Sequence, residues 1–283
     1  MPELPEVEIL ARHLRPLLVG KRVRMVTVLR AKAVRPLGAE RFRELLNGAE
    51  IRALGRRAKY LCFDLAMERG LKPRRMLGHL GMTGRMYLQP SGAPQARHAS
   101  VVIGLGPEDW VFEDSRQFGG LTFEVQRLEG LGPEPLDEGF TEALLRSRLG
   151  ESSQAIKVRL MDQRVLAGLG NIYASEALHW AGIAPHRPAW GLKHRELARL
   201  CDGIRSVLET AIRTGESMLL DFAGSGAGDG LFYYGRGPEA AETSEERFRV
   251  YDRAGQPCRE CSEPIVKSVL GGRSTYACGR CQR

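Results

Sequence analysis

CRECSEPIVKSVLGGRSTYACGRC, residues 258–281, carries two Cys-x-x-Cys pairs, Cys258/Cys261 and Cys278/Cys281, with 16 residues between them. Each pair can aim two thiolates at one tetrahedral ion, and the two-plus-two spacing is that of a structural zinc site. Four thiolates leave no open coordination position, so the expected zinc serves folding rather than chemistry. Binding of this kind is worth on the order of 10–16 kcal/mol in finger peptides near neutral pH, enough to fold a segment too short for its own core. Between the pairs, PIVKSV and STYA flank Gly271-Gly272, the pattern of a β-hairpin with Arg273 at its tip. Read alone, Arg273 is equally a solvated turn residue and an anion contact. Cys62, in the strand-like run YLCFDL, and Cys201, on a helical stripe, read as small core residues.

Moving toward the N-terminus, residues 223–247 are Gly-rich and then acidic (AGSGAGDG, EAAETSEE), which reads as a loop. Before it the apolar period is 3.6. In 194–213, Leu197, Leu200, Cys201, Ile204, Leu208 and Ile212 form one stripe closed by Gly215. Residues 171–182 and 153–165 are shorter helical stretches joined through VLAGLGN. The glycines there permit close backbone approach, and Asn171 is placed to cap the following helix. A helix N-terminus with free N–H groups suits a phosphate, but an ordinary tight connection fits the same residues. LEGLGPEPLDEGF (128–140) reads as a linker. Residues 20–125 lose the helical period and show β-branched runs (VRMVTVL, KYLCFDL, ASVVIGL, WVFED) split by Gly and Pro. Residues 5–18 regain it, with Val7, Leu10, Ala11, Leu14 and Leu18 on one face. The pattern predicts a β-rich domain with a helix packed on it, then a helical domain, then the cysteine hairpin.

A length of 283 residues allows about two domains, and 43% hydrophobic with 27% charged residues excludes wholesale disorder. No apolar run approaches the ~20 residues of a membrane span, and the acidic start is unlike a signal peptide, so a cytoplasmic protein is expected. Lys and Arg number 42 against 34 acids, for a net charge of +8, which favours a polyanionic partner such as nucleic acid.

Taken together the segments resemble one family, the formamidopyrimidine-DNA glycosylases, with the endonuclease VIII enzymes as near relatives. The resemblance rests on MPELPEVE (1–8), RRAKYL (56–61), HLGMTGRM (79–86), EDSRQFG (113–119), AIK and GLGNIYASE (155–176), and the cysteine hairpin with GGR. It implies an α+β multidomain protein: an N-terminal catalytic β-sandwich (1–128), a linker (129–140), a helix–two-turn–helix domain with a Gly-rich lesion loop (141–247) and a zinc finger (248–283). The implied activity is a bifunctional DNA glycosylase and AP lyase of base excision repair, excising oxidised purines from double-stranded DNA, with one structural Zn2+ held by Cys258, Cys261, Cys278 and Cys281. The implied nucleophile is Pro2, exposed when Met1 is removed. Glu3 matches the general acid, and Glu6 lies in the same motif. Lys59 and Arg273 match residues that contact phosphate and assist elimination, while Lys157 and Asn171 match phosphate contacts and His98 a DNA contact. Met82, Arg116 and Phe118 match the trio that fills the gap left by an extruded nucleotide.

The chain departs from the family pattern at GESMLLDF (215–222), where hydroxyl residues usually follow the glycine, in the longer and more acidic loop behind it, and at ESSQ before AIK. Oxidised pyrimidines are the alternative substrate class, and a zinc-ribbon nucleic-acid binder without chemistry is the alternative of another kind. Such a binder would have no use for Pro2, Glu3 and Lys59. A monomer is the family expectation.

Overall fold

The computed structural model describes residues 2–67, 72–216 and 248–283; the Gly-rich acidic loop expected over 223–247, and GESMLLDF beyond Glu216, lie outside them. The chain divides into two compact units, one formed by Pro2 and Glu6–Glu129 and the other by Glu3–Pro5, Gly130–Thr214 and residues 248–283.

In the first unit the periodic N-terminal stretch is helix α1 (Leu4–Leu18), whose first residues belong to the second unit. Val7, Leu10, Ala11, Leu14 and Leu18 are its buried face, each no more than 1% exposed. The β-branched runs form strands β1 (Met25–Val28), β2 (Glu50–Arg57), β3 (Tyr60–Ala66), β4 (Arg74–His79), β5 (Gly84–Pro90), β6 (Ala99–Gly104), β7 (Glu108–Asp114) and β8 (Gly120–Thr122). They make two four-stranded antiparallel sheets, ordered β1-β6-β7-β5 and β2-β3-β4-β8. Phe63 of β3 meets Trp110 of β7 with ring centroids 4.8 Å apart, so the inner faces of a sandwich interdigitate there. Helix α1 is tied to the sandwich by Arg15 Nε, which donates to Leu54 O (2.8 Å), and by the Arg56–Glu8 ion pair (2.9 Å). Two short elements depart from the expectation that residues 20–125 lack the helical period, the first a 3-10 turn at Ala31–Val34. Residues Ala39–Leu46 form helix α2, whose apolar side is only Phe42, Leu45 and Leu46. Two turns are too short to register as a period against the flanking β pattern.

The second unit contains α3 (Glu142–Leu149), α4 (Ile156–Met161), α5 (Asn171–Ala181), α6 (His194–Glu216) and the hairpin strands β9 (Ile265–Leu270) and β10 (Arg273–Cys278). The hairpin register pairs Leu270 with Arg273, leaving Gly271 and Gly272 as a two-residue turn at φ of +55° and +72°. Both angles lie in the left-handed region that glycine enters without strain. Helix α4 is shorter than the 153–165 stretch suggested. Beyond Met161 the backbone bonds turn to Gln163, whose side chain donates to Met161 O (3.0 Å) and Leu169 O (2.7 Å) and accepts from Gly168 N (2.9 Å). Residues 130–140 are packed rather than extended: Gly132 N donates to Gln163 O, Ala167 N donates to Pro133 O, and Phe140 is 3% exposed. Among the described residues no helix is long and apolar enough to cross a membrane.

Candidate functional site

Helix α5 begins at Asn171 with Gly170 as its N-cap and no side chain of its own capping it. Its first free N–H groups are instead met by the carboxylate of Glu3. Gly170 N (2.8 Å) and Tyr173 N (3.3 Å) donate to Oε2, and Ile172 N donates to Oε1 (2.9 Å). This corrects the expectation that Asn171 caps the helix: the position favoured by the helix dipole is taken by an anion 167 residues away in sequence. The chain is brought there by Leu4 N, which donates to Gly168 O (3.0 Å). Gly168 has φ +84°, and a Cβ on it would lie 2.7 Å from Leu4 Cδ1. The glycine of the GLGN turn is therefore required twice, for its dihedral and for its bareness. Pro2 and Glu6 are both buried.

Beside this turn Lys157 is 1% exposed, and its ammonium donates to Thr275 Oγ1 (2.8 Å) and Ser274 O (3.0 Å). Burial lowers its pKa to about 8, with the negative charge of Glu3 pulling the other way. Asn171 Nδ2 also donates to Ser274 O (3.0 Å). Two residues expected to touch phosphate thus brace the strand that starts at Arg273, which is itself exposed.

The four cysteine sulfurs lie within 4.8 Å of one another, with Cys258–Cys281 at 3.9 Å and Cys261–Cys278 at 3.4 Å. A tetrahedron with Zn–S bonds of ~2.3 Å has edges of ~3.8 Å, so the donor set and its spacing fit one zinc ion. Around it the hairpin is joined to the end of α5. Gln282 Nε2 donates to Ile183 O (2.9 Å), Arg283 N donates to Gly182 O (3.2 Å), and His179 Nε2 lies 3.6 Å from Cys258 Sγ.

Two residues that the sequence left without a role stand out in this unit. Glu176, 5% exposed, accepts from Arg249 N (2.8 Å), Val250 N (3.0 Å) and Tyr251 N (2.8 Å), fixing the segment that leads into the hairpin. His179 is the other. Both sit on a helix buried nearly all round, where polar residues stand out from the apolar background; that was the available signal.

In the first unit Lys59 lies at the β2–β3 turn, 8% exposed. His79, at the end of β4, accepts from Gly81 N through Nδ1 (3.0 Å). Burial, reinforced by the charges of Lys59 and Arg127, lowers its pKa to about 4, so it is the neutral imidazole that this bond needs. Met82 follows on the turn before β5 and is half-buried. Arg116 and Phe118 are exposed on the loop after β7, with the guanidinium 4.9 Å over the ring. His98 precedes β6, and its carbonyl accepts from Asp114 N (3.1 Å).

Known proteins match the chain domain by domain. Residues 1–121 match the formamidopyrimidine-DNA glycosylase N-terminal domain, 131–222 the formamidopyrimidine-DNA glycosylase H2TH domain, and 255–283 the zinc finger found in FPG and IleRS. Formamidopyrimidine-DNA glycosylases of Carboxydothermus hydrogenoformans and Rhizorhabdus wittichii are 35% and 41% identical, in each case over all of both chains. The Lactococcus lactis Fpg in complex with abasic-site DNA superposes with a TM-score of 0.85 at 31% identity over 99% of each chain. A G226P mutant of the same enzyme, bound to Fapy-dG DNA, gives 0.86 at 31% over all of both. With a shared fold, a shared cysteine site and matches along its whole length, the chain belongs to the formamidopyrimidine-DNA glycosylase family: it is a DNA glycosylase of base excision repair with one structural zinc.

Proposed function

We propose that the protein is a bifunctional glycosylase and AP lyase that removes oxidised purines, 8-oxoguanine and formamidopyrimidines, from double-stranded DNA through the amine of Pro2. The observation that carries this reading is the fixing of Glu3 by three backbone N–H groups. A residue one peptide bond from such an anchor is no frayed tail. An α-amino group with pKa near 7.7–8 is roughly 10–15% free base at pH 7, against ~0.04% for an ordinary lysine, so it needs no special activation. As the nitrogen of Pro2 bonds to the sugar carbon and the base–sugar bond breaks, the Glu3 carboxylate takes the proton that this nitrogen gives up and passes it to the sugar oxygen, so that the ring opens to the iminium. Because Pro2 is a secondary amine, the iminium has no N–H proton to lose. It stays cationic and draws electrons through a β- and then a δ-elimination that cuts the strand on both sides.

In this reading Lys59 and Arg273 serve the eliminations, with Asn171, Lys157 and His98 on the DNA backbone and Glu6 positioning the nucleophile or the sugar. Met82, Arg116 and Phe118 fill the gap left by the extruded nucleotide, whose unstacking costs a few kcal/mol. The abasic-site and Fapy-dG complexes of the Lactococcus enzyme support this partner and substrate class. One observation favours a second class: the same enzyme has been solved with DNA containing an oxidised pyrimidine.

Borohydride added during reaction with an abasic duplex should join the processed, zinc-loaded protein covalently to DNA. Pro2→Gly should lose trapping and incision far more than DNA affinity. Absence of trapping with protein proven to lack Met1, or full activity of protein that retains it, would falsify the mechanism. A lesion panel decides the substrate: faster excision of thymine glycol than of 8-oxoguanine opposite cytosine moves the assignment to pyrimidines.

A further inference from the structure

Within the sandwich unit, two loops that carry the gap-filling side chains are tied to one buried carboxylate. Asp114, the last residue of β7, is 1% exposed. Its Oδ1 accepts from Thr83 Oγ1 (2.6 Å) and from Arg116 N (3.1 Å), and its Oδ2 accepts from Gly119 N (2.7 Å). Arg116 N is shared with Thr83 Oγ1 (3.2 Å), which closes a small ring of bonds. Thr83 adjoins Met82, while Arg116 and Gly119 bracket Phe118. The two backbones are also pressed together, for a Cβ on Gly81 would lie 2.4 Å from Gly119 N and 2.6 Å from Phe118 C. A Cβ on Gly119 would lie 2.5 Å from His79 O. On this base Phe118 stands 56% exposed, with Arg116 against one side and Lys32 Nζ 5.8 Å from the ring centroid.

A single exposed ring is ordinary on a protein surface, so the signal here is the braced backbone beneath Phe118 and not its exposure. Preforming the loop removes ordering entropy that would otherwise be lost at the moment of binding. We propose that Asp114 is a positioning residue for base extrusion: through Thr83, Arg116 and Gly119 it locks the Met82 turn and the Arg116–Phe118 loop into one rigid wedge before DNA arrives. The proposal rests on the assignment of Met82, Arg116 and Phe118 to the vacated stack. It adds that their geometry is set by a carboxylate that never touches DNA. Asp114→Asn tests it sharply, because whichever way the amide is turned its NH2 faces a backbone N–H, that of Arg116 or of Gly119.

The experiment compares two substrates. A duplex with a damaged base must be unstacked, whereas a single-stranded oligonucleotide with an abasic site has no duplex to open. Asp114→Asn and Thr83→Val should each slow duplex excision about 10- to 100-fold, as sub-ångström misplacement of a wedge would. Cutting and borohydride trapping of the single strand should stay within about twofold, and Thr83→Ser should behave as wild type. Equal losses on both substrates, or no loss on the duplex, overturn the proposal. Hydrogen exchange in the DNA-free protein judges the lock apart from any chemistry. The Arg116 and Gly119 amides should be protected in wild type and lose protection in Asp114→Asn, and unchanged protection overturns the proposal. A wild type that cuts neither substrate refutes the proposed function instead, and the exchange result still decides the role of Asp114.

Discussion

Replacing Glu176 with glutamine changes one atom and should be among the most costly single substitutions in the second unit. The carboxylate accepts three backbone N–H groups at 2.8–3.0 Å from consecutive residues, with Oε1 taking Val250 and Tyr251 and Oε2 taking Arg249. A glutamine can keep its oxygen on the first pair. Its NH2 then faces the N–H of Arg249, so that bond becomes a donor–donor contact. Hydrogen bonds to a charged group contribute about 1.5–3 kcal/mol each and neutral ones about 0.5–1.5, while a buried group left unsatisfied costs about 1–3. Allowing for the desolvation that the neutral amide avoids, the net loss is about 2–4 kcal/mol. Glu176→Ala leaves all three donors unmet and should cost more. Urea denaturation followed by tryptophan fluorescence and by zinc release measures the effect. A Glu176→Gln protein within ~0.5 kcal/mol of wild type would refute the reasoning, because it would mean that the charge and the bond to Arg249 N contribute nothing over solvent.

Three further outcomes are expected. His79 has a folded pKa of about 4 against the ordinary 6.5 of a histidine, so the unfolded chain binds the extra proton between those values. Its contribution to stability, about 3 kcal/mol, is complete above pH 6.5 and is lost as pH falls toward 4. His79→Gln should flatten that part of the stability–pH curve, and an unchanged slope counts against the assignment. Lys157, depressed from 10.5 to about 8, has the same sign at the alkaline end: the cost of burying its charge is present below pH 8 and relieved by 10.5. The stability of wild type relative to Lys157→Met should therefore rise by about 3 kcal/mol across that window, as read by denaturation at stepped pH. His179→Phe removes the ring nitrogen that lies 3.6 Å from Cys258 Sγ and should weaken zinc binding about 10- to 100-fold in a chromophoric chelator assay, while His179→Gln recovers part of the loss.

What could be read in advance was whatever repeats or whatever is chemically specific. The α1 and α6 stripes, the sandwich strands and the cysteine spacing each carry their signal within a window of 8 to 24 residues. Helix α2 has two turns and no cap residue, so its period is lost among strands. The capping of α5 was invisible for another reason. A side chain that meets a helix 167 residues away leaves no local trace, and Asn171 at the first helical position mimics a cap. Gln163, Asp114 and Glu176 escaped likewise, since each acts by holding backbone that only the fold brings near.

The bonds that close helix α5 reach far along the sequence in both directions. Residue 3 seals its first turn, while residues 282 and 283 hold the backbone at its last, through Ile183 and Gly182. A ribosome emitting this chain would deliver the seal first and the helix after about 170 further residues. The hairpin that completes the unit arrives only with the final cysteine. Such large sequence separations make assembly slow and late. The second unit therefore cannot finish folding until the segment through residue 283 is free to dock, and deleting residues 282 and 283 should leave α5 with one end unfastened.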